Sequence, residues 1–98
     1  MRLYDVIWNE KFVDKIAEKH AVNTDEVEEV LFSSPHVRRL EKGKVKGEHL
    51  HVAYGQTVAG RYLVVFFIGK PHGGALPISA RDMTGAERRY FHEQKKEG

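Results

Sequence analysis

Arginine, histidine and tyrosine are the residues through which this chain could do chemistry, since it contains no cysteine. That absence removes disulfides, zinc fingers and thiol nucleophiles together. What remains suits a phosphate. Guanidinium groups are permanently charged, fork-shaped anion holders, imidazoles move protons near neutrality, and phenol rings stack on bases. Hairpin arithmetic singles out Arg61 and Arg81. If a strand at 61–68 pairs antiparallel across 69–74, Arg61 falls opposite Arg81 or Asp82. If it also pairs back across 55–60, Tyr54 falls opposite Arg61, so three strands deliver Tyr54, Arg61 and Arg81 to one end of a sheet. Two arginines that close repel each other unless an anion lies between them. Either can instead pair with Asp82, Asp5 or Glu10, and a one-residue slip would put them on opposite faces.

The other candidates carry less. His49 and His51 share one face of a strand, a spacing that can hold zinc, but no third ligand is near and zinc sites take three or four protein ligands. His20 falls on an apolar helix stripe, where a lone histidine packs as a half-buried side chain. It becomes an acid or base only if it faces the arginine end. No Walker loop, GxGxxG, GxSxG or HExxH occurs, so nucleotide-dependent, serine-hydrolase and zincin chemistries lose their usual signatures. The glycine-rich stretch 69–74 precedes a strand rather than a helix, the wrong context for a phosphate loop.

Elements must place these side chains. Residues 3–8 alternate and read as a short first strand. Asn9 offers a cap to a helix through about 19, in which Phe12, Ile16 and His20 recur at four. A second helix opens at Asn23 or Thr24 with Glu26 completing a capping box. It buries Val27, Val30 and Leu31 and stops at Ser33-Ser-Pro35. Past Pro35 the period becomes alternating. Residues 36–41 read as a strand, 42–47 as turn-rich, 49–54 as a half-buried strand and 55–60 as a turn. Residues 61–68 are apolar on both faces and central. A second hairpin loop spans 70–74, and Pro77 assigns the last strand, 75–80, to an edge because proline cannot donate to the ladder. Thr84-Gly-Ala-Glu87 is another capping box, opening a helix with Arg88, Arg89, Tyr90 and Phe91. The expected fold is α+β, one domain over 1–98. Two N-terminal helices pack on an antiparallel four-stranded sheet, with 3–8 available as a short extra strand, and a helix closes the chain.

Charge sets the class of partner. Lys and Arg number 16 against 14 Asp and Glu, but the signs are segregated. Asp25, Glu26, Glu28 and Glu29 come early; Arg38, Arg39, Lys42, Lys44 and Lys46 follow; Arg81, Arg88 and Arg89 come late. Such blocks suit an anionic backbone, a solvated charged face being the alternative. No apolar run approaches the ~20 residues of a membrane span. Met1-Arg-Leu-Tyr-Asp5 meets an acid before any apolar stretch, so no secretory signal and a cytoplasmic location are expected.

Several segments, in order, resemble the BrnT family of toxins. They are Trp8-Asn-Glu, Lys19-His20, Thr24-Asp-Glu-Val-Glu-Glu-Val-Leu31, Ala53-Tyr-Gly-Gln-Thr57, Gly60-Arg-Tyr-Leu-Val-Val-Phe66, Ile78-Ser-Ala-Arg81 and Glu87-Arg-Arg-Tyr90. The chain departs from the pattern in four places: Asn9 stands where the family usually has Asp, Ala21 where it usually has Gly, Pro77 interrupts an apolar strand, and residues 42–47 are a basic insertion. The resemblance implies a RelE-like ribonuclease fold and the toxin role in a type II toxin–antitoxin pair, with a DNA-binding antitoxin as partner. Family basic positions carry over onto His20, Arg61 and Arg81, with Arg88, Arg89 and Tyr90 in the final helix. A metal-independent endoribonuclease without cofactor follows, since RNA supplies its own 2′-hydroxyl nucleophile. Arg61 and Arg81 would hold the scissile phosphate and His20 or His51 would carry the proton. Tyr54 or Tyr62 would stack a base, with Arg38 and Arg39 on the RNA path. Arg88, Arg89 and Tyr90 would meet the antitoxin. The rival is a non-catalytic module using the same basic surface to bind nucleic acid or protein.

Overall fold

The structure, a computed structural model, describes residues 3–41 and 48–97; the turn-rich reading of 42–47 lies outside the described residues. Caps set the helices where expected. The Asn9 side chain accepts from the Lys11 amide (3.0 Å) to start α1, Glu10–His20. Asn23 and Glu26 exchange both bonds of a capping box at the head of α2, Thr24–Leu31. Thr84 and Glu87 do the same for α3, Gly85–Glu97. Reciprocal capping satisfies amides that a helix leaves unpaired, which is why these ends are legible in the residues themselves.

The strands are β1 (Asp5–Val6), β2 (His36–Glu41), β3 (Leu50–Gln56), β4 (Tyr62–Lys70) and β5 (Gly74–Asp82). They form one five-stranded sheet in the order β1-β5-β4-β3-β2. Instead of four antiparallel strands the sheet is mixed, because β1 pairs parallel to β5 through Asp5↔Gly74 and Val6↔Ala75. The first strand is correspondingly shorter than 3–8. β5 is also not at the edge of the sheet. Pro77 is tolerated because β1 reaches only Ala75 and the ladder to β4 is bulged beside it, Phe67 facing Pro77 and Phe66 facing Ser79.

Alternation gives the sheet two covered faces. Ala53, Leu63, Val65, Phe67, Ala75 and Ala80 pack with Ile16 of α1 and Val27, Val30 and Leu31 of α2. On the reverse, Val52, Tyr54, Val64 and Met83 pack with Phe91 of α3. Thus α1 and α2 lie on one side, with α1 chiefly against β5, and α3 lies on the other.

Register overturns the expected convergence of the arginines. Tyr54 faces Val64, not Arg61, and Val64 in turn faces Arg81. Asp82 faces Leu63. Two small shifts combine: β4 and β5 run on to pair Lys70 with Gly74, and the bulge adds a residue to β5. Arg61, two residues from Leu63, therefore lies on the α1/α2 side, and Arg81, level with Val64, lies under α3. They are on opposite faces.

Candidate functional site

Arg61 is a tie. Its Nε and Nη2 donate to the two Asp82 carboxylate oxygens at 2.8 and 3.2 Å. Nη1 donates to Glu26 at 3.2 Å and to the Ala21 carbonyl at 2.9 Å, and Nη2 also reaches the His20 carbonyl at 3.1 Å. A guanidinium has five N–H donors, and the protein itself engages all five. Asp82 and Glu26 push the Arg61 pKa up, and Arg61 with nearby His20 draws Asp82 below its ordinary range. These bonds tie β4 and β5 to the turn between α1 and α2, where Ala21 takes a left-handed conformation (φ 52°, ψ 41°). His20 is brought beside Arg61, but Arg81 and Tyr54 are not.

The α3 face collects more chemistry. Arg81 makes a two-pronged pair with Glu87, Nη1 at 2.7 Å and Nη2 at 2.9 Å, and its guanidinium lies 5.6 Å above the Phe66 ring. That pairing, together with the Thr84 amide and hydroxyl, holds the Glu87 carboxyl down to about 2. Alongside, His36 Nε2 and the Tyr90 hydroxyl are 2.8 Å apart. The Tyr54 and Tyr90 rings meet edge-on at 5.1 Å, His36 lies 6.0 Å from Tyr54, and Arg38 covers Tyr90 at 5.5 Å. Partial burial, then the Arg38 charge, push the His36 pKa below its ordinary value. A cleft of about 330 Å³ opens beside it, lined by Ser34, Pro35, His36, Gln94 and Lys95. Further along, Tyr62 lies 4.1 Å beneath the Arg88 guanidinium, with its hydroxyl 3.1 Å from His92 Nε2.

The remaining expected residues are scattered. His51 stacks on Phe67 at 5.2 Å, on the α1/α2 side, with Nδ1 3.0 Å from the His49 carbonyl. Burial foremost lowers its pKa. Arg39 is level with His51 and exposed. Among the described residues no three His, Cys, Asp or Glu side chains are grouped to hold a metal. On α3, Arg88 and Arg89 are exposed, while Tyr90 is half-buried and Phe91 is the anchor at 1% exposure.

Two partners escaped the sequence reading. Glu87 was visible only as a helix cap, and nothing local says that its carboxylate also reaches Arg81. His36 had a signal that could have found it: His36 and Arg38 alternate on β2 in phase with Tyr54 and Val52 of β3.

The family model described as "Ribonuclease toxin, BrnT, of type II toxin-antitoxin system" matches residues 8–87. Among solved structures, the chain is similar to the crystal structure of the Brucella abortus ribonuclease toxin BrnT. The TM-score is 0.58 at 21% identity, covering 82% of this chain and 96% of that one, a likeness of fold. Among curated proteins no relative matches.

Proposed function

The chain belongs to the BrnT family of ribonuclease toxins of type II toxin–antitoxin systems, and on that premise we propose that it is a metal-independent endoribonuclease of RelE-like architecture whose RNA-binding surface is the α3 face. One observation carries this reading. Basic and aromatic side chains from β2, β3, β4, β5 and α3 (Arg38, Tyr54, Tyr62, Arg81, Tyr90) gather on a single side of the sheet. The 2′-hydroxyl of RNA is the nucleophile, so the protein needs only to orient the phosphate, stabilise developing charge and move protons. Arg81 would take the phosphate as it now takes the Glu87 carboxylate, by a two-pronged grip that suits both anions. Tyr54 and Tyr62 supply surfaces for bases, and Arg38 supplies charge along the path. Arg61 supports the turn that carries His20 rather than touching RNA. A cytoplasmic DNA-binding antitoxin would neutralise the toxin, docking over the exposed Arg88 and Arg89.

The test is cleavage of single-stranded RNA by the purified protein in EDTA. Arg81→Ala should slow it at least tenfold, because loss of one charge-stabilising donor typically costs about 2.7–4 kcal/mol in the transition state. A 2′-deoxy nucleotide at the cut position should block it. Wild-type rates in the variant would overturn the assignment of Arg81. The same Glu87 grip favours a second reading, a module that binds without cutting, because it leaves Arg81 neutralised. RNA binding that weakens steeply with salt, with no cleavage under any condition, would establish that reading instead.

A further inference from the structure

We infer that His36 is the base that activates the 2′-hydroxyl, that Tyr90 is its positioning residue, and that the adjoining cleft receives the ribose of the nucleotide on the 5′ side of the cut; this rests on the ribonuclease reading above. No cut position or proton carrier follows from family membership itself. Geometry sets His20 and His51 aside by face. Of the histidines weighed earlier, His51 is stacked on Phe67 and His20 lies beside Asp82 and Arg61, both across the sheet from Arg81. His36 is on the face that carries Arg81, level with Tyr54, whose own register partner is level with Arg81.

The 2.8 Å contact between His36 Nε2 and the Tyr90 hydroxyl ties up one ring nitrogen. Among the described residues, no hydrogen bond is made by the other, Nδ1. With Nε2–H donating to the Tyr90 oxygen, Nδ1 carries the lone pair. A base oriented through its second nitrogen is the general arrangement for activating a hydroxyl. His36 also lines a cleft of about 330 Å³, together with Ser34, Pro35, Gln94 and Lys95. That volume admits a nucleotide-sized polar group. The groups facing His36 are Arg38 from β2, Tyr54 from β3, and Tyr90 and Lys95 from α3. None of these is an anion, and burial together with the Arg38 charge favours an uncharged imidazole.

The step balances as follows. The 2′-hydroxyl proton moves to Nδ1 as the O2′–P bond forms and the P–O5′ bond breaks. The departing 5′-oxygen takes a proton from water, and the imidazolium later returns its proton to solvent. The products are a 2′,3′-cyclic phosphate and a 5′-hydroxyl, with no oxidant, metal or second substrate.

The experiment compares single-turnover RNA cleavage across pH for the wild type, His36→Gln, His36→Ala and Tyr90→Phe, with RNA affinity measured separately. His36→Gln should cut about 100-fold more slowly or worse at unchanged affinity, and should lose the fall in rate below pH 6.5. Added imidazole should restore part of the activity of His36→Ala by entering the cleft, which a structural role would not allow. Tyr90→Phe should keep the ring packing, cut more slowly and shift the acid limb. If the wild type cuts RNA while His36→Gln cuts within threefold of it on the same pH profile, the inference falls and the ribonuclease reading stands. If the wild type cuts no RNA, both fall.

Discussion

Ala21 ends α1 in the left-handed region, a conformation that costs a residue bearing a Cβ about 1 kcal/mol relative to glycine. Arg61 bonds directly to the Ala21 carbonyl. Ala21→Gly should therefore raise stability by about 1 kcal/mol, read as a higher urea midpoint at unchanged slope. Arg61→Lys keeps the charge but not the fork. An ammonium has three donors against the five in use, and the loss should be about 2 kcal/mol in thermal unfolding; an unchanged midpoint would show the tie to be idle. Glu87 carries a pH signature. Its carboxyl titrates at about 2 instead of 4.5, so its pairing with Arg81 stabilises the fold fully above pH 4.5. That stability is lost as pH falls through about 2. Because Arg81 is about a third exposed, the contribution is about 1–2 kcal/mol after screening. Glu87→Gln should be less stable by that amount at pH 7, and the gap to the wild type should close toward pH 2 in acid titrations.

At the scale of elements, β1 hangs on a glycine. Gly73 has φ 84°, and a Cβ there would lie 2.3 Å from the Tyr4 ring, while the Tyr4 amide donates to the Gly73 carbonyl at 2.9 Å. Gly73→Ala should cost about 1–2 kcal/mol and speed hydrogen exchange first at the Ile7 amide, which bonds to Ala75. The elements themselves were largely legible because their signals are local. Asn9, Asn23 with Glu26, and Thr84 with Glu87 each announce a helix within four residues, and alternation marks β3 and β4. What stayed hidden was non-local. A bulge between Pro77 and Ser79 leaves no mark on the alternation, yet it helps decide which face Arg81 occupies. The pairing of Asp5 and Val6 with β5 spans most of the chain, and two residues carry no period. For the same reason the candidate site was half-read: Arg81, Arg38, Tyr54 and Tyr90 were named from sequence, but their assembly with His36 depends on register.

Taken whole, the molecule separates its two charged arginine centres by the thickness of a sheet, so interference with one leaves the other measurable. Arg88→Glu with Arg89→Glu on α3 should leave the fold intact and slow antitoxin association, most at low salt; an unchanged rate would place the antitoxin elsewhere. Chain order adds a consequence of its own. Helix α1 packs chiefly on β5, and β1 pairs only with β5, so these early elements wait for the last strand. At ~5–20 residues per second of synthesis, the apolar stripe of α1 stays without its platform for several seconds. Neither Arg81 nor Tyr90 exists until then. A nascent chain halted midway thus lacks the strand on which its first helix packs, and on the proposed site a nuclease assembled in this order could not attack the message encoding it until that message had been translated almost to the end of the fold.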